Sequence, residues 1–231
     1  METTHTRPFI ITVDGPSGSG KSTVCRQVAG RLGIGYIDTG AMYRAVGWAA
    51  KQAGIAPDDE TGLARILTDL KIDFQAEAGE NRVFCNGTDV TREIRTPEVD
   101  RLASRVSAVP AVRRALLPLQ RAFGRRAAAI IDGRDAGTVI FPNADLKIYL
   151  DADLETRARR RAREQNPDGG IDLEKVIAAI RERDQADASR AHAPLKRAPD
   201  ALLIDTSRLS IEEVVTKIIT LYRQRLQGKP A

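Results

Sequence analysis

The chain has 231 residues, 42% hydrophobic and 29% charged, which is the make-up of a soluble α/β protein with a sizeable core. No apolar run is long enough to span a bilayer, and residues 1–8 lack the basic and apolar regions of a signal peptide, so no membrane contact and a cytoplasmic location are expected. The net charge of +5 is spread among carboxylates on predicted helices, and aromatics are only 4%, so nucleic acid is not the expected partner.

Phe9-Ile10-Ile11-Thr12-Val13 is a short run rich in β-branched residues, the pattern of a strand buried on both faces of a parallel sheet. Gly15 to Ser22 then matches G-x-x-x-x-G-K-S, and the following residues read as a helix. In such a loop backbone N–H groups turn inward around a phosphate, and the bends suit Gly15, Gly18 and Gly20. The helix that follows presents its positive end to the same anion. Gly15, Pro16, Ser17, Gly18, Ser19, Gly20, Lys21, Ser22 and Thr23 are therefore the expected triphosphate-binding stretch. Lys21 is expected to reach the β- and γ-phosphates, and the Ser22 hydroxyl to ligate Mg²⁺.

Tyr36-Ile37-Asp38 reads as a second strand, and Asp38 or Thr39 as the cap of a helix running to about Gly54. Thr39 and Arg44 then lie near the carboxyl ends of the strands, where open α/β sheets bind ligands. Residues 72–75, 82–85 and 88–90 predict three small strands, with Asn86-Gly87 as a hairpin signal, inside an otherwise α/β chain. Thr96-Pro97 opens a helix holding Ser104, and Pro110 opens the next. Cys25 and Cys85 lack metal-ligand spacing and read as packed thiols.

A second buried strand at residues 127–131 ends in Asp132, an acid placed to help hold Mg²⁺ through water. Arg134 and Asp135 follow at once on a turn at the same sheet edge. After a strand at 146–150, residues 151–153 cap a helix carrying Arg157, Arg159, Arg160, Arg161 and Arg163. Asn166-Pro167-Asp168-Gly169-Gly170 is expected to break it before a helix from about Leu173, giving the shape of an arginine-rich lid. Along that second helix Arg183, Asp187 and Arg190 fall on one face. Residues 201–205 predict the last strand, and Ser210 with Glu213 a capping box.

Several of these stretches together resemble one family. The loop at 15–23, Asp38-Thr39-Gly40-Ala41-Met42-Tyr43-Arg44, Glu93-Ile94-Arg95-Thr96, Asp132-Gly133-Arg134-Asp135, Gly137-Thr138-Val139, Arg183-Asp184 and Ala193-Pro194-Leu195 are similar to those of bacterial cytidylate kinases. The match runs from the first strand to the last helix. It implies a parallel sheet of the P-loop NTPase type flanked by helices, with a small antiparallel insertion for the monophosphate and a helical arginine lid. The implied boundaries are a core of residues 8–66, 101–153 and 191–228, an insertion of about 67–100 and a lid of about 154–190.

The implied reaction is ATP with CMP or dCMP giving ADP with CDP or dCDP, with ATP and Mg²⁺ required; no long apolar face demands a dimer, so a monomer is expected. By motif position Thr39, Arg44, Ser104, Arg113, Arg134, Asp135, Arg183, Asp187 and Arg190 form the monophosphate site. Arg44, Arg134 and Arg190 are expected at the acceptor phosphate. Asp135, with Arg113, Arg134 and Ser104, complements the cytosine edge, and Asp187 takes the sugar hydroxyls. Lys21, Arg134, Arg157 and Arg161 are the expected catalytic cations. Two positions depart from the pattern: Ala136, where a larger apolar residue is usual, and Ala186, where an arginine is frequent. These put in question the packing behind the base and one lid contact. The residues alone leave open a kinase for UMP, AMP or another small acceptor, or a nucleotide-gated RNA-binding module.

Overall fold

The computed structural model describes residues 7–77, 80–165, 170 and 172–228. In chain order the first elements are β1 (Ile10–Asp14), α1 (Lys21–Leu32), β2 (Gly35–Asp38), α2 (Thr39–Gln52), α3 (Glu60–Asp69) and the strands β3 (Ile72–Glu77), β4 (Glu80–Cys85) and β5 (Thr88–Asp89). There follow α4 (Pro97–Val106), α5 (Pro110–Arg126), β6 (Ala129–Gly133), β7 (Leu146–Asp151), α6 (Leu154–Gln165), α7 (Leu173–Ala188), β8 (Leu202–Asp205) and α8 (Ile211–Leu226).

The chain divides into two compact units, one of the described residues up to Ile37 and from Gly124 onward, the other Asp38–Phe123. In the first, β1 is buried at every position, as its unbroken apolar run requires. The sheet has the order β2-β6-β1-β7-β8. β1 pairs in parallel with β6 and β7, and β7 with β8. Val24, Cys25 and Val28 of α1 and Val214, Val215 and Ile218 of α8 pack with Ile11, Val13, Ile148 and Leu150 into the core. Each such side chain removed from water contributes about 1.5–3 kcal/mol. The α6–α7 pair has a small core of its own, Ala158, Val176 and Ile180, rimmed by Leu154, Ala162, Leu173 and Ile177. Among the described residues no helix is long and apolar enough to cross a membrane.

The second unit holds the antiparallel sheet β3-β4-β5 expected within 67–100. Asn86 and Gly87 take φ of 50° and 80°, the paired left-handed conformation of a tight hairpin turn. Asp38 caps α2 by accepting the Ala41 N–H at 2.8 Å.

Three features differ from expectation. Asp59 caps a helix, α3, that the residue pattern did not single out. Residues 136–140 wind into a single wide helical turn rather than a simple loop: the Phe141 N–H donates to the Ala136 carbonyl at 2.7 Å. The last helix of the arginine pair stops at Ala188, so Arg190 lies beyond it; the Ser189 N–H closes the helix on Gln185, and the Leu195 N–H returns to the Asp187 carbonyl. The expected break at 166–169 lies outside the described residues.

Candidate active site

In the loop from β1 to α1, Gly18 has φ 77°, and a Cβ there would stand 2.8 Å from the Arg157 carbonyl. At Gly15 a Cβ would meet the Leu150 carbonyl at 2.0 Å, so the loop is pressed onto its surroundings and only glycine fits. Gly20 caps α1 without a side-chain hydrogen bond, which leaves the first-turn N–H groups to face a ligand. Lys21 is buried, and its Nζ donates to the Pro16 carbonyl at 2.7 Å and to Ser19 Oγ at 3.3 Å. Burial, helped by the repulsion of Arg134 and opposed by Asp132, lowers Lys21 to about 7.

The Ser22 hydroxyl donates to Asp132 Oδ2 at 2.6 Å, and the Tyr36 hydroxyl to the same oxygen at 3.1 Å. β6 thus delivers its terminal acid to the first turn of α1. One hydroxyl and one carboxylate are hard oxygen donors suited to a divalent cation that keeps most of its water. No group of three or more His, Cys, Asp or Glu side chains able to hold a metal occurs among the described residues.

Asp187 is 2% exposed and joins two arginines: Arg134 Nε donates to its Oδ2 at 2.8 Å, and Arg190 donates to its Oδ1. Burial pushes Asp187 up, but the attraction of Arg134, Arg190 and Arg183 outweighs it and holds the carboxyl below its usual range. Asp135 is also buried, one residue after Arg134. The structure therefore brings Arg134, Arg183, Asp187 and Arg190 into one electrostatic cluster in the unit that carries the loop.

Arg157, one of the lid arginines expected to complete the phosphate cage on closure, is buried, donating from Nε to the Ala152 carbonyl at 3.0 Å and from Nη1 to the Ser17 carbonyl at 3.1 Å and to Asp184. Arg161 pairs with Glu164 at 3.4 Å near the surface of α6. In the second unit Arg44 donates to Asp38 Oδ2 at 2.7 Å. Burial pushes Asp38 up, but Arg44, the Ala41 N–H and Arg95 together bring it below its usual range. Arg113 donates to the Ser107 carbonyl at 3.1 Å and lies 5.5 Å from the Tyr43 ring centre. Thr39 is buried at the start of α2, and Ser104 is half-buried on α4.

Residue patterns gave no individual role to Asp184, Asp14 or Arg160. Asp184 accepts the Ser17 N–H at 3.1 Å; it stood beside Arg183 in a noted stretch, yet nothing local ties it to the loop. Asp14 accepts the Ala136 and Gly137 N–H groups at 2.8 and 2.7 Å, and burial, against those two bonds, raises it to about 6. Arg160 donates to the Thr206 hydroxyl at 2.9 Å, on a cavity also lined by Gly20, Val24 and Leu209.

A parallel strand, a glycine loop closed over a buried lysine, and a second strand's acid on the helix serine define a P-loop nucleotide-binding protein. The family model described as cytidylate kinase matches residues 11–224. The cytidylate kinase of Geobacter sulfurreducens is 48% identical over 231 residues, covering 100% of this chain and 99% of that protein. That of Syntrophotalea carbinolica is 46% identical, covering 96% and 94%. The chain belongs to the cytidylate kinase family. An uncharacterized protein of Eubacterium ventriosum shares the fold at 12% identity, with a TM-score of 0.54 over 94% of this chain and 99% of that one.

Proposed function

We propose that the chain transfers the γ-phosphoryl group of ATP to CMP or dCMP, giving ADP and CDP or dCDP. The observation that carries this reading is the Arg134–Asp187–Arg190 cluster, built into the same unit as a loop arranged for a triphosphate. Phosphoryl transfer leaves little covalent work to a protein, so positioning and charge supply the catalysis. Lys21 would neutralise charge on the β- and γ-phosphates, and Ser22 and Asp132 would hold Mg²⁺, which when bound would offset developing phosphate charge. In the first unit Arg134 and Arg190 bind the acceptor phosphate, whose attacking oxygen is already ionised near neutral pH and needs no base; in the second, Arg44 is the expected phosphate-binding cation.

Cytosine presents a donor at N4 and acceptors at N3 and O2. In the first unit Asp135 and Arg134 complement that edge, Asp187 takes the sugar, and Arg183 supports Asp187 electrostatically; in the second, Arg113 and Ser104 are the expected base-binding groups. Uracil reverses two of these positions and leaves site groups unpaired, at about 1–3 kcal/mol each. We read the α6–α7 pair as a lid, with Arg161 approaching the transferred group on closure and Arg157 acting from its place against Ser17. The sheet β3-β4-β5 belongs to the monophosphate-binding part. The absence of a segregated basic tail supports small-molecule partners rather than nucleic acid, and we read the enzyme as a cytoplasmic monomer serving pyrimidine metabolism.

The test is ADP release from Mg-ATP with CMP, dCMP, UMP and AMP offered singly. Turnover with CMP or dCMP and little with the others is expected. Turnover only with UMP or AMP overturns the base assignment; turnover with none, together with salt-sensitive RNA binding, overturns the kinase reading.

A further inference from the structure

Asp14 ends β1 and stands one residue before Gly15 of the phosphate loop. Its two carboxylate oxygens serve another part of the chain. Oδ1 accepts the Ala136 N–H at 2.8 Å and Oδ2 accepts the Gly137 N–H at 2.7 Å. These are the first two peptides after Asp135. The Asp135 carbonyl in turn accepts the N–H groups of Val139 and Ile140 at 2.9 and 3.2 Å, so the wide turn hangs from Asp14 at its start.

The same turn is pressed against β1. A Cβ on Gly137 would stand 2.8 Å from Thr12 Oγ1 and 3.3 Å from both Asp14 Oδ2 and Lys147 Cδ. Thr12 is fully buried and its hydroxyl has no hydrogen-bond partner in the described structure, so it contributes bulk at this contact rather than a bond. Two adjacent inward N–H donors need two acceptors in one place. A carboxylate supplies both; an amide supplies one and turns its own N–H₂ toward the other donor.

We propose that Asp14 is a positioning residue for acceptor recognition: by holding the 136–137 peptides it sets where Asp135 and Arg134 stand. This rests on the reading that Asp135 recognises the acceptor base. It makes the strand that feeds the phosphate loop also the ruler for the acceptor site.

The experiment measures KM for CMP and for ATP on the full chain with Asp14→Asn, Gly137→Ala, Gly137→Ala combined with Thr12→Ala, and Asp135→Ala. Asp14→Asn and Gly137→Ala are each expected to raise KM for CMP about tenfold, the scale of one buried donor left unpaired or displaced, with KM for ATP changed less than about twofold. Thr12→Ala removes the atom at 2.8 Å and is expected to return the Gly137→Ala enzyme toward the original KM. If Asp14→Asn fails to fold, the Gly137 pair carries the test alone. A raised KM for CMP with Asp135→Ala but not with Asp14→Asn or Gly137→Ala overturns the inference and leaves the base reading standing. An unchanged KM with Asp135→Ala overturns the base reading and the inference with it. Equal rises for CMP and ATP make Asp14 a general scaffold residue and also overturn the proposal.

Discussion

Asp187→Asn tests whether the arginine cluster is held by charge. Asp187 is 2% exposed, and its two oxygens each receive an arginine whose side chain is 19% (Arg134) or 8% (Arg190) exposed. Removing one partner of a buried ion pair costs about 3–5 kcal/mol. Asparagine keeps the volume and one acceptor, and Arg134 retains some water, so the expected loss is about 2–3 kcal/mol. For a protein of this size that lowers the unfolding midpoint by about 5–10 °C. Thermal melts followed by circular dichroism measure it. The pH dependence supplies an internal control. Because the Asp187 carboxyl is held below its ordinary value of 3.8, its contribution is present above that pH and lost as pH falls through the folded value. The gap between the two proteins should therefore close in acid. A loss under about 0.5 kcal/mol at neutral pH, or a gap independent of pH, would refute the argument.

Lys21→Met should abolish transfer with the circular dichroism spectrum unchanged and the melting midpoint no lower, since burial already disfavours the Lys21 charge; turnover within about tenfold of the original would refute its role. Gly18→Ala places an L side chain at φ 77°, costing roughly 1–2 kcal/mol, and sets a Cβ 2.8 Å from the Arg157 carbonyl. KM for ATP should rise about tenfold or more, and an unchanged value sinks that account. Asp38→Ala removes both the α2 cap and the Arg44 partner. It should cost about 1 kcal/mol or more in a melt and weaken the acceptor more than ATP; equal effects on the two substrates would count against Arg44 at the acceptor phosphate.

What could be read from residues alone was local. The phosphate loop, the Asp38 cap, the Asn86-Gly87 turn and the Ser210–Glu213 capping box each lie within a few positions, where spacing is physics. The family resemblance extended this to Arg134, Asp135, Arg183, Asp187 and Arg190, and the structure brings Arg134, Asp187 and Arg190 into contact. The contact of Arg157 with the Ser17 carbonyl was not legible because the two lie 140 positions apart, and a helix pattern carries no information about a partner at that separation. Asp14 was hidden in the same way, as its partners lie 122 and 123 positions along the chain. The helix α3 was legible but went unread: Leu63, Ile66, Leu67 and Leu70 stand at helical spacing behind the Asp59 cap.

The central strand of the main sheet comes first in the chain, and both its neighbours come late. Ile10 pairs beside Ala129, and Ile11 beside Leu146. As the polypeptide leaves the ribosome, β1 therefore emerges with neither edge covered while residues 38–123 are still being made. Those intervening residues form a unit of short-range pairings able to collapse before the sheet exists. Throughout that interval the run at residues 9–13 is an apolar strand with no neighbour on either edge, the kind that pairs with other chains. The strand that feeds the site thus waits for both its neighbours until residues 129–149 have been made.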